Sequence, residues 1–353
     1  MIFSIVLVLF SLFIVTFVIV HFQIFDFSSK FLNALANLLF LIGGYAIIMT
    51  SIKSIYIIPF IGLIISGILL KKIKLDFSLM YWRSTLTIYS LMTVFFLLFF
   101  IRNNELMVPH ADYLFWIRVG LSNERYGFEN INVFYNLIDS SYNNPGLYHY
   151  FETWIMNFGS FINQQNASLN LFFFAYPLGL IICCFGIKEL RVLLFPNKIL
   201  KEIFNDLSAL FIAIGYFFYS SPWDTFNKSI GIKNMPISGM SGFGLGPTKM
   251  IFVLLIIITL FIYLTKRSKE SFLLLFFSAF LYPPIAPIIF VTALIWWFYL
   301  KMFSVKESWM TLFILIGLSL GFAIFYISFK SDSGNSISNF SLNEWLTVSG
   351  WVK

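Results

Sequence analysis

The sequence predicts an all-α polytopic membrane protein of about ten transmembrane helices, two of them a half-length pair split by prolines. Three observations carry this. The 353 residues are 59% hydrophobic and only 11% charged, far below the ~25% charged residues of a soluble domain. Apolar runs recur at lengths that cross a hydrocarbon core of ~30 Å. The ionisable residues gather between those runs, above all in a polar island over 102–166 that holds two of the three histidines and six of the 16 acidic residues.

Taken in order, the apolar runs place helices at 2–20, 31–49, 55–70 and 85–101. After the island they place helices at 169–186, 207–219, 250–264, 272–300 and 310–329. No basic residue precedes the first run, it exceeds a signal-peptide core, and no small-residue cleavage pattern follows, so it is expected to remain as an anchor. The run over 272–300 is too long for one untilted span. Pro283, Pro284 and Pro287 at its middle remove amide donors and clash with the preceding turn. A pair of half-length helices is therefore favoured over one kinked span, with basic residues at both outer ends on one side. The resulting divisions are N-terminal helices over 1–101, a large external loop over 102–167 with the candidate active site, and a transmembrane core over 168–330. A second external loop interrupts the core at 220–249, and an external tail covers 331–353.

The net charge of +7 would suggest nucleic acid in a soluble protein. Here the cations cluster in short connectors: Lys71, Lys72, Lys74 and Arg83; Lys188, Arg191, Lys198 and Lys201; Lys266, Arg267 and Lys269; Lys301 and Lys306. They read as topology signals, which puts all four clusters in the cytoplasm and the island outside, and no nucleic-acid partner is implied. Lys30 and Lys53 fall in successive connectors and orient the first three helices weakly. Cys183 and Cys184 are adjacent inside an apolar run and read as small buried hydrophobes.

The island divides into three. The stretch from His110 through Asp112 and Trp116 to Arg118 follows directly on the fourth helix, which places Asp112 at or just beyond the bilayer edge. Asn123, Glu124, Arg125 and the residues to Asn130 read as a polar turn. Pro145 and Gly146 then open an amphipathic segment that carries His149 and Glu152 and ends near Phe161. Tyr113, Trp116, Tyr148, Tyr150 and Trp154 are expected to anchor the segment at the membrane interface. His149 and Glu152, three apart, share one helix face. They could hold a divalent cation such as Mg or Mn, or an acceptor sugar, against the plainer alternative of a solvated helix face.

This arrangement resembles the GT-C superfamily of multi-spanning glycosyltransferases, especially the branch of protein O-mannosyltransferases and aminoarabinose transferases. Asp112 through Gly120 fills the place of that family's acidic loop motif. Pro145-Gly146-Leu147-Tyr148-His149-Tyr150 resembles the turn before its amphipathic helix, Ala175-Tyr176-Pro177-Leu178 the helix beyond, and Tyr282-Pro283-Pro284 its half-length pair. The chain departs from the pattern in having four helices before the acidic loop rather than one. His110 and Ala111 stand where an acidic partner to Asp112 would be, and the tail ends where relatives continue into further helices or a soluble domain.

The resemblance implies sugar transfer from a polyprenyl-phosphate donor to a glycan, lipid or protein acceptor on the external face of a membrane, such as a bacterial inner membrane. Asp112 would be the catalytic base. His110, Arg118, Arg125, His149, Glu152, Asp224 and Lys228 would be substrate-binding, the cations facing the phosphate leaving group. The loop over 220–249, rich in glycine, has no Gly-Lys-Ser/Thr of a phosphate loop, and the chain has no Asp-x-Asp. Two other classes remain open. An O-antigen or capsule polymerase would show paired arginine-rich external segments, and a lipid-linked-saccharide transporter would show internal repeats and charges within its helices.

Overall fold

The computed structural model describes residues 1–102, 105–106, 111–127, 129, 151–196, 202–220, 247–283, 286–302, 316–317 and 319–321. The expected second external loop, most of the helix at 310–329 and the tail lie outside the described residues. Helix α1 (Ile2–His21) shows the physical basis of the fold. Ile5, Val8, Leu12, Val15 and Ile19, three or four apart, are buried, whereas Ile2, Phe3, Val6, Phe10, Ile14 and Val18 are exposed. Both faces are apolar, so the open one has no surface fit for water, the condition of a span facing lipid. Helices Ile2–His21, Lys30–Met49 (α2), Trp82–Phe100 (α4) and Ala167–Leu194 (α7) are each long and apolar enough to cross a membrane. Helix α3 (Ile57–Leu69) lies between α2 and α4.

At the centre stand α2 and α7, which pack on each other, and α7 packs in turn on α9 (Pro247–Lys266). Helix α2 starts where the Ser29 hydroxyl accepts from the Leu32 amide, 3.0 Å, the usual cap for an orphan N–H. Asn37 on its buried side donates to the carbonyls of Ile19 and Phe22 at the end of α1. Within α7, Leu171–Ala175 widen into a π turn whose side chains are all buried. Cys183 and Cys184 lie fully buried farther along the same helix, as the sequence suggests.

The basic clusters meet on one face. Lys188 of α7 pairs with Asp206 of α8 (Glu202–Ser220), whose carboxylate also accepts from Ser84 at the start of α4. Lys266 at the end of α9 pairs with Glu189 of α7. Lys72 reaches Glu270 at the start of α10 (Lys269–Ser278), 3.2 Å away. Opposite this face lie the ends of α2 and α4 and the described parts of the island.

On the basic face the fold departs from the all-α expectation. Strand β1 (Phe22–Phe25), leaving α1, pairs antiparallel with β2 (Ile73–Phe77), leaving α3, in the register Phe22↔Phe77 and Gln23↔Asp76. Two extended connectors emerging side by side satisfy each other's backbone groups. A second, minimal ribbon joins β3 (Ile101–Arg102) to β4 (Glu105–Leu106) as the chain enters the island.

The proline-split run is not one continuous helix. Helix α10 tightens into a 3-10 turn over Ala279–Leu281, breaks at Pro283, and resumes as α11 (Ala286–Met302). The rings of Phe276 and Phe290 lie 6.0 Å apart, although 14 residues of straight helix would separate them by ~21 Å. The break thus turns the chain sharply, but the limbs are unequal: α10 has 10 residues and α11 has 17, so α11 is longer than the half-length helix expected.

Candidate functional site on the island face

Two amphipathic helices build this face. Helix α5 (Ala111–Tyr126) and α6 (Phe151–Asn163) cross where Gly120 meets Thr153, at a point where a Cβ on Gly120 would lie 2.7 Å from the Thr153 Cβ. The missing side chain lets the backbones approach closely enough for Asn157 Nδ2 to donate to the Gly120 carbonyl, 2.9 Å. Phe151 to Asn157 are all buried. The stretch is therefore part of the core, and a pair of asparagines clasps its exit: Asn163 and Asn170 exchange hydrogen bonds of 2.8 and 3.1 Å between α6 and α7.

Helix α5 carries through Asn123, Glu124 and Arg125, where the sequence suggests a polar turn. The turn comes at Gly127, whose φ of +68° is left-handed backbone that glycine adopts without a Cβ clash. Glu124, half-buried in the last turn of α5, accepts from the Tyr45 hydroxyl of α2 at 2.7 Å. Burial raises its carboxyl above the ordinary range, and the Tyr45 bond offsets part of that.

Just past the turn, Glu129 is wholly buried. Its Oε1 accepts from the Ser54 hydroxyl, 2.7 Å, and from Trp154 Nε1–H, 2.7 Å, and its Oε2 accepts from the Ile55 amide, 2.8 Å. Burial pushes this carboxyl up to about 7 against the pull of those three donors. One side chain thereby ties the α2–α3 connector to α6. Trp154, fully buried, and Trp116, nearly so, serve the interior and not the interfacial belt expected of them.

Asp112 is the second residue of α5 and so belongs to a helix docked on the bundle. Arg118 and Arg125, both exposed, are seven residues apart and share one side of α5; the Arg125 guanidinium stands 6.0 Å from the Tyr126 ring centre. Glu152, only 1% exposed, is turned into the protein, apart from those arginines. His110, His149, Asp224 and Lys228 lie outside the described residues, and with His149 goes the expected cation pair. Among the described residues no three His, Cys, Asp or Glu side chains gather as a metal-binding set. Sequence reasoning passes over Tyr45, Ser54 and Glu129. Only the density of polar residues in the 50–54 connector hints at a partner there.

Beside α5 opens a hollow of about 600 Å³ whose walls include Met1, Ser4, Ile117, Leu121, Asn166 and Leu169. Ile117 follows Asp112 by five residues, which sets their Cα positions ~140° apart around the helix axis. The hollow and Asp112 therefore occupy different sides of α5. No protein-family model, curated protein or solved structure matches the chain.

Proposed function

We propose that the chain is a membrane glycosyltransferase that moves a sugar from a polyprenyl-phosphate donor to a hydroxyl acceptor, with Asp112 as the base. The observation that carries this reading is the fixing of α5, which holds Asp112 in its first turn, against α6 at Gly120 and against α2 through Tyr45 and Glu124. A base works through placement before basicity. The acceptor oxygen attacks the anomeric carbon as the bond to phosphate oxygen breaks, and the proton of the acceptor hydroxyl passes to Asp112. The electron pair leaves on the phosphate; of the exposed cations on α5, Arg118, six residues and ~9 Å along the axis from Asp112, is the one near enough to serve it, whereas Arg125 stands ~20 Å along.

The orientation belongs to the same proposal. Three basic clusters on one face, opposite the island, favour that face as cytoplasmic and the island as external, in a bundle of about ten spans within a membrane such as the bacterial inner membrane. The test is Asp112→Asn in membranes supplied with polyprenyl-phosphate sugars. Asn keeps the size but accepts no proton, so transfer should fall by ~10² to 10⁴ while the folded yield is unchanged. Full activity in folded Asp112→Asn would overturn the assignment.

A further inference from the structure

On the opposite face, the β1–β2 ribbon and the turn leading into α4 carry an unusual surface. Every residue of β2 is exposed. Alternation places Ile73, Leu75 and Phe77 on one side of the strand and Lys74 and Asp76 on the other, the latter two paired at 3.2 Å. Leu75 is 73% exposed, Met80 75%, Leu79 51% and Trp82 47%. Around them stand Lys71 and Arg83, both exposed, with the Arg83 guanidinium 5.5 Å from the Trp82 ring centre. The apolar side is continuous with the lipid-facing sides of the spans it joins: the Phe77 ring lies 5.9 Å from Phe17 on α1, and Leu69 of α3 and Leu86 of α4 are exposed alongside.

We propose that this ribbon is a docking surface for the anionic headgroups of the bilayer in which the helices sit. Leu75, Leu79, Met80 and Trp82 enter the headgroup–acyl boundary, and Lys71, Lys74 and Arg83 engage lipid phosphates. Two features commit the surface to this occupant. Its apolar residues extend existing lipid-facing stripes without a break, so a soluble protein covering them would also have to cover α1 and α4. Its exposed cations, Lys71, Lys74 and Arg83, outnumber its exposed acids, Asp26 and Asp76, which favours anionic lipid over a neutral surface. Trp82 under Arg83 is an amphipathic pair suited to the boundary. The ribbon would set the depth of α1 to α4 in the bilayer, independently of the reaction on the far face.

The test uses the full chain in nanodiscs of phosphatidylcholine with or without phosphatidylglycerol. A nitroxide placed at Leu75→Cys should be more accessible to oxygen than to a water-soluble nickel chelate when phosphatidylglycerol is present, and one at Asp76→Cys the reverse; native Cys183 and Cys184 are buried. Lys71→Gln/Lys74→Gln/Arg83→Gln should cut the phosphatidylglycerol retained by the detergent-purified protein by ~10-fold or more, given the attraction of each cation to an anionic surface. All the substituted residues are exposed, so folding is not at stake. Equal chelate access at both labels, equal insertion in phosphatidylcholine alone, or undiminished lipid retention by the triple variant would each overturn the proposal.

Discussion

Glu129 offers the sharpest test of how the island is fastened. Its carboxyl rises from 4.5 to about 7 because burial disfavours the charge more than three donors favour it. At ~1.36 kcal/mol per pH unit of displacement, the folded state gains about 3 kcal/mol from holding the proton. That gain is complete below pH 4.5. It is lost as pH climbs from there to 7, and it contributes no slope above 7, where both states are ionised. Glu129→Gln should remove this part of the pH dependence. It should also weaken the site by ~1 to 3 kcal/mol at low pH, since either orientation of the amide sets its NH2 against an N–H, of Trp154 or of Ile55, and leaves one donor unpaired. Hydrogen exchange of the peptide containing Ile55, read from pH 5 to 8 and corrected for intrinsic rates, reports opening at the site. Glu124 adds a slope of the same sign, so wild type is compared with the variant and not with a flat line. An identical pH profile in the two proteins would refute the reasoning.

Gly120→Val should force α5 away from α6, because its first carbon would fall 2.7 Å from Thr153. The expected loss is ~1 to 3 kcal/mol in unfolding stability, with sugar transfer reduced in proportion to the displacement of Asp112; unchanged stability would mean the crossing is loose. Gly215→Ala, which meets no atom within 4 Å, serves as the harmless comparison. Arg125→Cys should react with a membrane-impermeant thiol reagent in intact cells and Lys269→Cys should not. The opposite pattern would invert the orientation.

Much of the helical frame was legible because apolar runs in lipid have one solution: α1, α2, α4 and α7 start or end close to where hydropathy places them. The break at Pro283 was legible for the local reason that proline cannot continue a helix. Pairing between distant segments was not. β1 and β2 are separated by two helices, and nothing in Phe22–Phe25 or Ile73–Phe77 names its partner. Within the island, local rules misjudged importance. Asp112 drew attention by standing near a helix end, whereas Glu129 looks like an ordinary turn residue and yet binds three donors from two separate places in the sequence, Ser54–Ile55 and Trp154. Trp154 shows the same failure, because an aromatic beside a membrane reads as interfacial until its burial is known.

The two faces of the bundle hold their carboxylates by different chemistry, and the difference bears on function. On the basic face Asp206, Glu189 and Glu270 are matched to Lys188, Lys266 and Lys72. On the island face Glu124 and Glu129 are held by a phenol, a hydroxyl, an indole and a backbone amide, all neutral. Lysine and arginine are disfavoured in segments that cross a membrane, so acids buried against such segments on the island face are better served by neutral donors. Neutral donors leave a buried carboxyl readier to take up a proton, the direction seen at both residues. They also leave the cations that do reach this face uncommitted to Glu124 and Glu129. Arg118 and Arg125 stay exposed on α5, open to an anionic ligand as a cation locked to a structural acid is not.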